Sequence, residues 1–349
     1  MMNAIYKIMG LGVLIISIGI GWFWQSLNNF SSKPVQLESP SIDFEIKPGV
    51  PLTTIARKLK TANIISDDSL FLWLIKLEDK EKNIKAGEYV IKNGSTPKDI
   101  LLLFVSGQVK QYPFTIVEGW SFKQLMVALS SNLQMAHTLK GKSNKEIMAS
   151  IGHENEHPEG RFLPDTYKFP AGSSDVAFLK RAYNAMNKLL EKAWQNRADG
   201  LPLKNKYEAL ILASIVEKET GFAGERAQIA GVFTRRLQKR MRLQTDPTVI
   251  YGLGDEYDGN LKKKHLKQDG PYNTYRRFGL TPTPIAMPSE AAIHAALHPE
   301  AGDTLYFVAK GNGRHYFSST IKEHNKAVRK FQIRQRKVNY RSTPEKQEK

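Results

Sequence analysis

The order of apolar and polar positions changes character several times along the 349 residues. Residues 8–24, IMGLGVLIISIGIGWFW, form an uncharged apolar run without a period, at the short end of what spans a hydrocarbon core as a helix. Residues 25–41 turn polar, with Ser, Asn and Pro, and read as a linker. Residues 42–46 then alternate as a short strand, Lys47-Pro48-Gly49 makes a turn, and Ile55, Ala56 and Leu59 recur at helical spacing after Leu52. Asp67 or Asp68 can cap a second helix through Leu70, Leu74 and Leu77. The strand-like GEYVI (residues 87–91) follows, and Ser95-Thr96-Pro97 opens a helix through Val105. Residues 42–109 therefore predict a small α+β subdomain.

A second, larger block, residues 110–334, opens with a strand over 112–117 and a helix over 122–133. Helical spacing dominates residues 175–194 and 207–240. Short strands and turns rich in Gly and Pro are expected over 253–288, then a helix over 289–296 and a strand pair at 305–309 and 314–317. A basic helix from Ile321 frays into a charged tail over 335–349. The fold class is α+β: one N-terminal transmembrane helix, a small α+β subdomain and a larger mixed α+β catalytic domain.

Charge sharpens the reading of the apolar run. Lys7 and the amino terminus precede it and no basic residue follows until Lys33, so residues 1–7 are expected in the cytosol and the rest of the chain outside. A cleaved signal peptide and a buried soluble helix are the competing readings. Bulky aromatics in GWFWQSLNNF stand where a cleavage site needs small residues, and they suit a membrane interface instead. The net charge of +17 calls for anionic partners: nucleic acid, phospholipid head groups or an acidic polymer. An exported chain rarely meets nucleic acid, and no nucleic-acid-binding motif is present. The absence of cysteine excludes disulfides, thiolate catalysis and cysteine-ligated zinc.

Two motifs mimic known chemistry. His153–His157, HENEH, matches a zinc-peptidase pattern, but Gly152 before it and Pro158-Glu159-Gly160 after it leave no room for the helix that would put both imidazoles on one face. A polar loop is expected there, and no metal. Lys140-Gly141-Lys142-Ser143 ends like a phosphate-binding loop, yet Ala136 replaces its first glycine and no buried strand leads in. No G-x-S-x-G turn supplies a serine nucleophile.

Carboxylates remain. In LILASIVEKETG (residues 210–221), Ile211, Leu212, Ile215 and Val216 share one helical face, and Glu219 continues it while Glu217 points elsewhere. At the edge of a core, desolvation would raise the Glu219 pKa and suit it to general acid work. The same pattern also fits a last, solvent-reaching residue of the stripe, with Gly221 ending the helix. Further on, Gln244, Asp246 and Tyr251 in MRLQTDPTVIYGLG, and Asn273 and Tyr275 in PYNTY, offer amide, carboxylate and aromatic groups suited to a sugar chain.

Taken together, EGRFLPDTY (159–167), ASIVEKET (213–220), RLQTDPTVIYG (242–252), PYNTY (271–275), LHP (297–299) and YFVA with the following His315 and Phe317 resemble the MltG (YceG-like) family of endolytic murein transglycosylases. The resemblance runs over most of the chain, from about Ile42 to Phe331, plus the anchor. It implies internal cleavage of peptidoglycan glycan strands between N-acetylmuramic acid and N-acetylglucosamine, leaving 1,6-anhydro ends, without a cofactor. Carried onto this chain, the family's catalytic glutamate falls on Glu219, with Gln244, Asp246, Tyr251, Asn273 and Tyr275 as substrate-binding residues near the cleft. It further implies a LysM-like subdomain over 42–109, an inner-membrane anchor with a periplasmic catalytic domain, and peptidoglycan synthases as partners. Where the family commonly reads GLPPGPI, this chain reads GLTPTPI, with Thr281 and Thr283 in place of Pro and Gly. The competing class is a membrane-anchored, non-catalytic peptidoglycan-binding scaffold.

Overall fold

A computed structural model describes the backbone from residue 2 to residue 334 and side chains from Ile5 onward. The charged tail expected over 335–349 lies outside the described residues. The chain divides into two compact units, one up to Tyr112 together with Lys168–Gly172, the other Pro113–Tyr167 and from Ser173 onward.

The first unit begins with α1 (Met2–Ser32), then β1 (Ser41–Ile46), α2 (Leu52–Thr61), α3 (Asp68–Leu77), β2 (Gly87–Lys92) and α4 (Pro97–Ser106). Strands β1 and β2 pair antiparallel, with Ser41 opposite Lys92 and Ile46 opposite Gly87. Their inward side chains, Phe44, Ile46, Tyr89 and Ile91, meet Ile55, Leu59, Phe71, Ile75 and Phe104 in one apolar core. Helix starts are chemically marked. The Asp67 carboxylate accepts from the backbone N–H of Ser69 and Leu70, and Thr96 with Asp99 forms a reciprocal capping box. Helix α1 differs from expectation: it runs unbroken through Ser32 and takes in half of the stretch read as a linker. Leu27 and Phe30 cause this, because both are buried in the core of this unit. Its stretch Ile5–Ser32 is long and apolar enough to cross a membrane.

The second unit is mainly helical. After β3 (Gln111–Thr115), whose first two residues belong to the first unit, come α5 (Phe122–Ser130), β4 (Met135–Ala136), α6 (Asn144–Ser150), β5 (Thr166–Pro170), whose last three residues also belong to the first unit, β6 (Ser173–Ser174), α7 (Asp175–Gln195), α8 (Lys206–Glu219), α9 (Arg226–Gln238), α10 (Asp246–Leu253), α11 (Lys263–Lys267), α12 (Glu290–Leu297), the antiparallel pair β7 (Tyr306–Ala309) and β8 (His315–Ser318), and α13 (Ile321–Val328). Helix α8 is the axis of the core, packed by α7, α9, α10 and α12.

Three expectations change here. The single helical stretch over 207–240 is two helices, α8 and α9, separated by a short 3₁₀ turn at Ala223–Glu225. Thr220, extended at φ −142° and ψ 130°, ends α8, rather than Gly221. Strands expected over 253–288 are replaced by turns and the short helix α11, with α10 ahead of them. The proline of Asp246-Pro247 sits in the first turn of α10, where its missing N–H costs nothing. Residues 153–157 form turns, as the flanking Gly and Pro imply. The two imidazoles are engaged apart: His153 Nδ1 lies 3.0 Å from the Tyr183 hydroxyl, and His157 Nδ1 accepts from the Glu159 N–H at 3.2 Å. Ser143 of the phosphate-loop look-alike is the N-cap of α6.

Candidate active site

Helix α8 brings Glu219 to the site. Asn205 caps its start, and every residue from Ala209 to Val216 is buried, so the helix has no polar face over those turns. The stripe on which the sequence placed Glu219 is therefore not distinctive. What singles out Glu219 is that the helix ends there and its carboxylate emerges only partly from the core. Glu217, two residues earlier, faces another way. Its Oε2 accepts from the backbone N–H of Ser289 at 3.0 Å and from the Ser289 hydroxyl, while Oε1 lies 3.4 Å from Arg226. Glu217 thus fastens the N-terminus of α12 to α8.

Around Glu219 the structure gathers Thr245, Asp246, Tyr275, Gln244 and Arg236. The buried Thr245 hydroxyl donates to Glu219 Oε1. Burial pushes the Glu219 carboxyl up to about 7; the Thr245 hydroxyl opposes the rise and the Asp246 charge adds to it. Asp246 starts α10 and its Oδ1 accepts from the Tyr275 hydroxyl at 2.6 Å. Burial, and then the Asp246 charge, raise the Tyr275 pKa, so the phenol keeps its proton and remains a donor.

Gln244 adopts a left-handed backbone, φ 51°, which is uncommon for a residue other than glycine. Its N–H donates to the Thr274 carbonyl at 3.2 Å, and its side-chain oxygen lies 3.5 Å from Arg236 Nη1. Three buried threonines hold this turn. The Thr245 N–H donates to Thr274 Oγ1 at 3.1 Å, and Thr274 Oγ1 lies 2.9 Å from the Thr248 hydroxyl. Arg236, from α9, donates to the carbonyls of Leu243 (2.8 Å), Arg242 (3.2 Å) and Leu305 (2.7 Å). A buried guanidinium with so many acceptors is satisfied in place, and its charge faces Glu219.

Asn273 and Tyr251 stand apart from that group. Asn273 is buried, its amide nitrogen donating to the carbonyls of His265, Leu266 and Gln268 and its oxygen accepting from the Tyr275 N–H at 2.9 Å. Every polar atom of its side chain is engaged in shaping the loop that carries Tyr275. Tyr251, at the other end of α10, donates its hydroxyl to Glu159 Oε2 at 3.0 Å. Glu159 is 3% exposed and also accepts from the Phe122 N–H at 3.0 Å. Burial raises the Glu159 carboxyl to about 7, against the Tyr251 hydroxyl and the backbone donors. Tyr251, Tyr272, Trp120 and Glu159 line a groove of about 1560 Å³ whose rim carries Lys123, Lys140 and Lys142. Thr283, one of the two departures from the family pattern, lies 2.9 Å by its hydroxyl from that of Tyr272, whose ring meets Tyr251 edge-on at 5.0 Å.

Sequence reasoning missed Arg236, Thr245, Thr274 and Glu159 as parts of this arrangement. A signal existed for three of them: Glu159, Thr245 and Thr274 stand inside the motifs EGRFLPDTY, RLQTDPTVIYG and PYNTY.

The sequence model of the YceG-like family matches residues 44–330. The endolytic murein transglycosylase of Bacillus subtilis (strain 168) is 32% identical over 320 residues, covering 86% of this chain and 87% of that protein. The endolytic murein transglycosylase of Streptococcus pneumoniae serotype 2 (strain D39) is 25% identical, covering 90% of this chain and 62% of that protein. The crystal structure of a YceG-like protein from Listeria monocytogenes superposes with a TM-score of 0.50 at 29% identity, over 82% of this chain and 99% of that one. With a family match over residues 44–330 and a 32% identical relative covered over 87% of its length, the chain belongs to the YceG-like family.

Proposed function

We propose that this protein is an endolytic murein transglycosylase that cuts peptidoglycan glycan strands with Glu219 as its single acid and base. The observation that carries the reading is a carboxyl held near pH 7 at the end of a buried helix, with the Thr245 hydroxyl fixing one of its oxygens. A group poised there can give a proton and take one back at neutral pH. Protonated Glu219 would donate to the glycosidic oxygen as the bond from that oxygen to C1 of the muramic acid breaks. The ionised carboxylate would then take the proton of the C6 hydroxyl as O6 bonds to C1. That restores the acid and leaves a 1,6-anhydro end. No water is consumed, so the second carboxylate of a hydrolase is not needed; the intramolecular hydroxyl takes its place at high effective concentration.

Within this reading Asp246 and Tyr275 position the strand beside Glu219, Gln244 contacts sugar hydroxyls, and Asn273 acts through the loop it holds. The groove beside Tyr251 takes the continuing strand, its aromatic walls stacking on sugar faces. The first unit, a strand-helix-helix-strand core, serves as the LysM-like glycan holder. Residues 8–24 of α1 anchor the protein in the inner membrane with the N-terminus in the cytosol and the chain beyond the span in the periplasm. There the enzyme ends nascent strands alongside the peptidoglycan synthases.

The test is mass spectrometry of peptidoglycan digested by wild type, Glu219→Gln and Glu217→Gln, using the full detergent-solubilised chain because Leu27 and Phe30 belong to the core. The expected result is new 1,6-anhydro ends from wild type and Glu217→Gln and none from folded Glu219→Gln. Reducing ends instead would mean hydrolysis and turn attention to Asp246. No cleavage by any form would favour the binding scaffold.

A further inference from the structure

The face of α3 beside the membrane helix is the surface that the sequence left without a purpose. Outside α1, the described residues of the first unit expose three large apolar side chains, Trp73, Leu77 and Leu102. Trp73 and Leu77 are four apart on α3 and share one face with Lys76 between them. Trp73 is 47% exposed and Leu77 49%, although the same helix buries Phe71, Leu74 and Ile75 completely enough to fill a core. Lys76 Nζ lies 5.4 Å from the centre of the Trp73 ring.

Helix α1 fixes where that face lies. Phe23 meets Trp73 edge-on, ring centres 5.5 Å apart at 78°. Phe23 stands between Trp22 and Trp24, both exposed, at the end of the apolar run. Leu27, about 6 Å beyond Phe23 along the helix axis, is already buried in the core of the unit. No break in α1 separates the aromatic belt from the residues that grip the unit. Trp73 is therefore held at the level where α1 leaves its apolar stretch.

We propose that the Trp73–Leu77 face of α3 is a lipid-contacting surface that seats the first unit on the head-group layer of an anionic bilayer. Trp73 and Leu77 enter the interface, where indole rings are favoured, and Lys76 meets lipid phosphates. The unit is then attached at two places, by the spanning helix and by this face, and does not swing on a tether. The inference rests on the reading of residues 8–24 as a membrane span.

The chain contains no cysteine, so single labels are unambiguous. Nitroxide would be attached to Leu77→Cys, to Ile15→Cys within the span, and to Glu45→Cys on exposed β1, in full-length protein reconstituted into phosphatidylglycerol/phosphatidylethanolamine vesicles. Collision of each label with oxygen, which enters lipid, and with a water-soluble nickel chelate would be read by power saturation. The expected result is an oxygen-to-nickel collision ratio at Leu77 several-fold above that at Glu45 and below that at Ile15. A Leu77 ratio equal to that of Glu45, with Ile15 in lipid, overturns the proposal and leaves the anchor standing. Shielding of Leu77 from both agents means that a second copy covers the face, and overturns it too. An Ile15 label outside lipid removes the anchor, and the proposal with it.

Discussion

Replacing Glu219 by glutamine should abolish cleavage and, at the same time, make the protein more resistant to unfolding above neutral pH. Burial raises this carboxyl from its ordinary 4.5 to about 7. The folded state then holds the proton more tightly than the unfolded state does. Its contribution is fully favourable below the ordinary value and is lost as pH rises through 4.5 towards 7. Each tenfold change in proton affinity is worth about 1.4 kcal/mol, so the whole interval amounts to about 3 kcal/mol. Glu219 keeps part of its surface, and solvent screening brings the figure to about 2 kcal/mol. Glutamine does not titrate, yet its amide oxygen still accepts from Thr245. Glu159, raised in the same direction, is present in both proteins and cancels from the difference. Thermal unfolding of both proteins, followed by intrinsic fluorescence, should show similar midpoints at pH 5. At pH 8 the variant should lie about 5 °C higher, the shift expected of ~2 kcal/mol in a domain of this size. Parallel pH profiles would refute the reasoning, because they would mean that Glu219 titrates alike in the folded and unfolded chain.

Arg236→Met should cost about 3 kcal/mol in chemical denaturation, because the buried carbonyl of Leu243 and the half-buried carbonyl of Leu305 lose their donor; Arg236→Lys should recover only a small part, since an ammonium cannot reproduce the fork. Gly160→Ala should lower the midpoint by the equivalent of about 2 kcal/mol or more, as Gly160 has φ +77° and a Cβ there would stand 2.5 Å from Cβ of Pro284. Tyr275→Phe removes the 2.6 Å bond to Asp246; it should cost about 1 kcal/mol of stability while lowering the rate of strand cleavage, measured by release of anhydro ends.

Local chemistry made much of the fold legible. Thr96 with Asp99 and Ser121 with Gln124 mark helix starts within four residues of sequence, and both form the reciprocal bonds such pairs imply. The hairpin β7–β8 and the long helix α7 follow from alternation and from helical spacing. The helix beginning at Asp246-Pro247 was harder, because a proline inside a polar stretch reads equally as a turn. Helix α8 was misread more instructively: wrapped on all sides between Ala209 and Val216, it carries no amphipathic signal to orient its last turn. The motifs named Gln244, Asp246 and Tyr275 as its companions, but which side chains touch which was not readable from spacing. Thr245 reaches Glu219 across 26 residues of sequence, Tyr251 reaches Glu159 across 92, and Arg236 reaches Leu305 across 69. Only the tertiary fold closes such distances.

The position of Glu219 as the last residue of α8 has an electrostatic consequence. The aligned peptide dipoles of a helix leave partial negative charge at its C-terminus, where cations are favoured and an anion is disfavoured by about 0.3–1 kcal/mol. Lys218 conforms to that preference and Glu219 opposes it. The carbonyls that end α8 thus repel the ionised carboxylate and favour its proton, in the same sense as burial. A glutamate meant only to stabilise the helix belongs in the first turn, where Glu208 stands. At the opposite end, the backbone itself adds to the burial that holds this carboxyl's proton.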